Sequence, residues 1–278
     1  MTQAPEDPRR LPYEVGRAIR ANPVRQLTAG APLRWLALGW RDLMRCPLPG
    51  LVHGLAMALF GAVLVALARD RFWLLAGAFS GFLLVAPVVA TGLYAVSREL
   101  EQGRRATLAT ALATWRPRTR RDGRLVVFGL LLALAGTGWV LTSAALITRF
   151  AAAPVNTPMD FVRVVVLASD TGLAGLFEIW LILGAALSAP IFASSVVAIP
   201  LLMDRDIAVR PAVLVSARAA LANPLPMALW ATLILVLTLL GMVTGLVGLV
   251  VAVPWLAHAS WHAYRDLVGP EGSAGEAG

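Results

Sequence analysis

The chain has 278 residues, 58% of them hydrophobic and only 14% charged, with a mean hydropathy of +0.73. A soluble domain carries about 25% charged residues, so this composition excludes an ordinary soluble enzyme and points to a membrane protein. The net charge is +8 with every cation an arginine, but the arginines are scattered between apolar segments, so nucleic acid is not an expected partner; Cys46 is the only cysteine, which excludes an internal disulfide and a cysteine-only metal site.

Residues 1–30, rich in Arg, Pro and Glu, read as a mobile cytoplasmic arm. The stretch "LRWLALGWRDLMRCP" follows. Leu33, Leu36, Ala37, Trp40, Leu43 and Met44 recur at helical spacing and give an apolar face edged by Arg34, Arg41 and Arg45, with Trp35 on the far side. Such a helix either lies on acidic headgroups or packs against the ends of a bundle. Two comparable stretches, "ATLATALATWRPRTR" and "VRPAVLVSARAALANP", precede later apolar runs.

Uncharged runs occupy Cys46–Ala68, Phe72–Ser97, Leu125–Thr148 and Ile179–Met203, each sufficient for one crossing of about 20 residues. A final run, Ala219–Tyr264, holds 46 residues and suits two, with the break at "GMVTG", Gly241–Gly245. The expected fold is therefore all-α: a polytopic membrane helix bundle of six transmembrane helices as three hairpins, with short cytoplasmic interfacial helices, over residues 31–268. The first run begins too late for a cleavable signal peptide, so the first crossing should act as an uncleaved one. The segment Phe150–Leu176 contains "APVNTP" and "FVRVVVLA" and should hold a short helix on the outer surface. Residues 269–278 read as a disordered tail. Arginines alternate between connections, 20 against 4, so both termini should face the cytoplasm.

Two segments align without gaps: "GFLLVAPVVATGLYAVSREL" (Gly81–Leu100) and "GLVVAVPWLAHASWHAYRDL" (Gly248–Leu267). Pro87/Pro254, Arg98/Arg265 and Leu100/Leu267 are identical, and Tyr94/Trp261 and Glu99/Asp266 are close in kind, so the first and third hairpins read as a pseudo-repeat. These blocks, with "LLMDRDIAVRPAVLVSARAALANPLPMALW", resemble the bacterial domain-of-unknown-function family 2189 of integral membrane proteins over roughly residues 35–268. The resemblance implies a multi-helix inner-membrane protein and assigns no activity. Ala257 stands where the family pattern carries a glycine, a small departure.

The three histidines are expected at one membrane depth. His258 and His262 share a helix face at i, i+4, and His53 lies at a similar level on the first helix, so the three could hold zinc, copper or iron. Asp42 and Asp266 are at that level but expected in water, and no other cofactor is implied. The alternative is an interfacial belt of His258, His262, Trp255, Trp261 and Tyr264. Arg98 and Arg265 could hold headgroups or snorkel, with Glu101 pairing to Arg98. Glu178 should be wet at the outer boundary. Pro87, Pro190, Pro200 and Pro254 either kink helices or open carbonyls to a substrate, and "GAFSG" and "GMVTG" permit close helix approach. The absence of acids and arginines near mid-membrane speaks against ion-coupled transport. The favoured role is a non-enzymatic accessory or scaffold protein whose partners are the lipid bilayer and a membrane-protein partner or a second copy. A small-solute or lipid transporter and a histidine-based metal or redox protein are the alternatives.

Overall fold

The computed structural model describes residues 16–68, 72, 90–114, 120–167 and 175–269. Among these the chain is helical: α1 (Ala31–Arg45), α2 (Pro47–Ala68), α3 (Thr91–Glu101), α4 (Leu108–Ala113), α5 (Arg120–Phe150), α6 (Pro158–Phe161) continued by a π turn at Val162–Val166, α7 (Leu176–Ser195), α8 (Ala198–Asp204), α9 (Val209–Ala222), α10 (Pro224–Val243) and α11 (Leu249–Leu267). A single isolated bridge, Val24 to Val268, is the only extended pairing among the described residues.

Among the described residues four stretches are long and apolar enough to cross a membrane: Pro47–Leu67, Gly123–Phe150, Leu176–Asp204 and Pro224–Val243. Most of the expected second crossing, including "GAFSG" and Pro87, lies outside the described residues. The expected sixth, α11, differs in kind. Its C-terminal half carries His258, His262, Arg265 and Asp266, and most of its side chains are buried in protein. It is a core helix, whereas the four apolar stretches leave most of their surface uncovered.

Helix α11 runs antiparallel along α1 and then α2, opposing Ala259 to Gly39, Pro254 to Gly50 and Val250 to Gly54. A Cβ on Gly39 would stand 2.5 Å from the Ala259 nitrogen, and one on Gly54 would overlap the Val250 carbonyl. Glycine at both positions lets the backbones touch. The turn between α10 and α11 falls at "GMVTG", as expected. The Thr244 hydroxyl donates to the Gly241 carbonyl and accepts from the Gly248 amide, while Gly245 takes a φ of +67°.

The fourth apolar run is one span with an internal break. Pro200 has no N–H for the Val196 carbonyl, and the Ser216 hydroxyl of α9 enters the ladder three residues earlier, accepting from the Val197 amide and donating to the Ala193 carbonyl. The break is thus satisfied by protein rather than opened to a substrate. The short helix expected in Phe150–Leu176 is α6 with its π turn, started by a capping box in which Thr157 accepts from the Asp160 amide and Asp160 accepts from the Thr157 amide.

Two expectations need correction. Residues 16–30 are not a free arm: Asn223 accepts from the Leu27 amide at 2.7 Å and donates to the Arg25 carbonyl, and buried Arg205 donates to Asn22 and to the Gly269 carbonyl. In α1 the buried face is Ala31, Trp35, Leu36, Gly39, Asp42 and Leu43, while Leu33, Trp40 and Met44 are exposed. Trp35 therefore turns inward, because it packs edge-to-face on Trp230 at 5.5 Å and its indole donates to Asp266. The exposed stripe of Leu33, Trp40 and Met44 continues on α2 as Leu48, Leu51 and Leu55.

Candidate functional site

The ends of α3, α8 and α11 meet beside α1 and enclose most of the ionisable side chains that the helices bury. At the centre is Asp42, 3% exposed although it lies on the helix with three arginines. Its Oδ2 accepts from Ser97 Oγ at 2.9 Å and from His262 Nε2 at 2.8 Å, and Ser97 Oγ lies 2.8 Å from His258 Nδ1. Ser97 and His258 are fully buried.

Donor counting orders these protons. An ionised Asp42 can only accept, so Ser97 and His262 both donate to it. The Ser97 oxygen then accepts from His258 Nδ1–H, which leaves His258 Nε2 as a buried lone pair without a hydrogen-bond partner among the described residues. Burial alone would raise the Asp42 carboxyl. The hydrogen bond and charge of His262, with the Ser97 hydrogen bond, outweigh it and hold the carboxyl below its ordinary value.

Around this centre the acids and cations pair across elements. Asp204 accepts from Tyr264 at 2.8 Å and faces Arg98 at 3.6 Å. Glu101 accepts from Trp261 and Arg265, each at 3.0 Å. Asp266 accepts from Arg34 and Trp35, each at 2.6 Å.

These partners correct the sequence reading in several places. Trp261 and Tyr264 are 1% and 0% exposed, so they form core contacts rather than an interfacial belt; Trp255, edge-to-face on Trp40 at 5.2 Å, and His262 remain partly exposed. Arg98 and Arg265 are committed to acids instead of headgroups, and Glu101 pairs with Arg265 rather than with Arg98. Asp42 is withdrawn from water at 3% exposure, whereas Asp266, the acceptor for Arg34 and Trp35, keeps part of its side chain at the surface. Glu178 is exposed, as expected.

The three histidines are not gathered as one metal site. His262 spends Nε2 on Asp42, His258 spends Nδ1 on Ser97, and His53 Nδ1 bonds to the Pro49 carbonyl of its own helix at 2.9 Å. Among the described residues no three His, Cys, Asp or Glu side chains are grouped to hold an ion. The Ser97, His258 and Asp42 set does not form a hydrolase relay either. The serine bonds the acid as well as the imidazole, and all three are closed to solvent.

Comparison with known proteins adds one finding. The family model described as "Predicted integral membrane protein (DUF2189)" matches residues 74–204. The stretch runs through α3 to the end of α8 and stops before α9, α10 and α11, so it is shorter than the resemblance read from the sequence. No curated protein and no solved structure matches the chain. The match and the four apolar helices agree on an integral membrane protein with several apolar helices.

Sequence reasoning missed Ser97, Asp204 and Asn223 as structural partners. Ser97 occupies the place of Tyr264 in the aligned repeat. A polar residue at that register, directly before an arginine, was the available signal.

Proposed function

We propose that the chain is a non-enzymatic accessory or scaffold protein of the bacterial cytoplasmic membrane, with six crossings, cytoplasmic termini, and a first and third hairpin derived from one repeat. The observation that carries this reading is the interlocked polar end of the bundle. Its Asp, Glu, His and Arg side chains bond chiefly to one another across α1, α3, α8 and α11, and the buried reactive groups have no open approach. An enzyme needs a reactive group that substrate can reach. A scaffold needs fixed helix ends, which such networks provide.

Exposed Arg41 and Arg45, beside the apolar stripe of Leu33, Trp40 and Met44, leave α1 with a lipid- or partner-facing surface. The middle parts of the four apolar stretches contain no Asp, Glu or Arg, which supports a role other than ion-coupled transport.

Purification of the tagged full chain in a mild detergent tests the proposal. The expected result is a stoichiometric membrane-protein partner or a homo-oligomer; a partner-free monomer counts against it. Fusion reporters at both termini should give cytoplasmic signals, and opposite signals would refute the even number of crossings.

A further inference from the structure

We propose that the cavity bounded by α2, α3, α5, α7, α8, α10 and α11 binds an apolar chain carrying one carbonyl acceptor, which takes its hydrogen bond from Trp230. The cavity measures about 300 Å³, at the small end of ligand pockets, and its wall includes Met57, Leu132, Phe192, Ile234, Met242 and Leu256. None of its described wall residues is Asp, Glu, Arg or His. A charged solute would lose its hydration there without a partner.

The three serine hydroxyls of the wall are already committed, while Tyr94 and Thr238 also line it. Ser188, Ser195 and Ser260 donate to the carbonyls of Ala185, Phe192 and Leu256 of their own helices. Trp230 is the contrast. It is fully buried, lines the cavity, and its Nε1 has no acceptor among the described residues. Trp35, Trp180, Trp255 and Trp261 each donate their indole N–H to a protein acceptor. Buried indole donors normally find one. With an aliphatic wall, the acceptor that fits is one delivered by an apolar molecule. An acyl ester and a prenyl quinone share this chemistry, a carbonyl on a long apolar chain.

The full chain in an alkyl maltoside, a detergent without a carbonyl, can be titrated with methyl decanoate and decylbenzoquinone, using decane as the acceptor-free control. Saturable rise of the melting temperature reads occupancy. At least one carbonyl probe should bind more tightly than decane, and Trp230→Phe should weaken it about five- to tenfold, to the decane level. Ser195→Leu fills the cavity and should abolish binding of all three; Thr238→Leu serves the same purpose if Ser195→Leu fails to fold. Mass spectrometry of a solvent extract identifies the natural source, ester or quinone. Absence of saturable binding by both carbonyl probes to the folded wild type overturns the proposal, and so does unchanged binding by Trp230→Phe. Neither result bears on the scaffold reading, which depends on co-purification.

Discussion

The polar end around α1, α3, α8 and α11 and the middle pair α5 and α7 are held by different forces. At the polar end, side chains from four helices converge on Asp42, Glu101, Asp204 and Asp266, and each acid serves donors from at least one other helix. Directional bonds of this kind have one satisfying geometry, so they set helix register as well as adding stability. Between α5 and α7 the contact is mainly aromatic. The Trp180 ring lies tilted against Trp139 at 5.5 Å, with Phe161 of α6 edge-on to it at 5.3 Å, and one hydrogen bond joins Trp180 to Ser143. Most other large side chains on these two helices face outward. Dispersion tolerates sliding, and lipid tails compete with it. The chain therefore concentrates its specificity at one end of the bundle and leaves the rest to apolar packing.

Four measurements would break or sharpen this contrast. The largest effect is expected from Asp42→Ala, which strands the Ser97 hydroxyl and the His262 N–H in a buried site. Loss of about 2–4 kcal/mol is expected, read as a sharply lowered melting temperature in detergent. A change within the scatter of surface variants would show that the cluster does not hold the end together. Next is Gly54→Leu, which drives a side chain into the Val250 backbone and should cost about 1–3 kcal/mol. Gly138→Leu on α5, where nothing lies within 4 Å of the new Cβ, should stay within about 0.5 kcal/mol. Equal losses at the two glycines would erase the proposed difference between the regions. Third, Trp180→Phe removes the bond to Ser143 while keeping a ring, for an expected loss of about 1 kcal/mol.

The smallest effect is one of pH. The Asp42 carboxyl titrates below its ordinary value of 3.8 in the folded protein. Its stabilising contribution is therefore complete above that value and declines as pH falls through the lower, folded one. Melting curves of wild type and Asp42→Asn should converge over that acid window. A constant gap between them would mean that Asp42 is not ionised where it is buried.

The four described apolar stretches, the turn at "GMVTG" and the short helix after Phe150 were all legible in the chain, because uncharged length and glycine placement are local properties. The site was legible only as a list of members. His258, His262, Arg98, Arg265, Trp261 and Tyr264 could be singled out from the chain, but their partners could not. Those partners sit far away in sequence: Asp42 is 220 residues from His262, and Asp204 is 60 from Tyr264.

What the sequence by itself determined was which described segments are long and apolar enough to cross a membrane, since uncharged length is a local property of the chain. What only the tertiary structure decided was which way each polar side chain faces. The same arginines, histidines and tryptophans would suit a wet interface if the helix ends stood apart. Here α11 lies against Gly39 and Gly54 so closely that water is excluded, and a buried donor must then be matched to a protein acceptor or stand out, as Trp230 Nε1, Arg98 Nε and Arg124 Nε do.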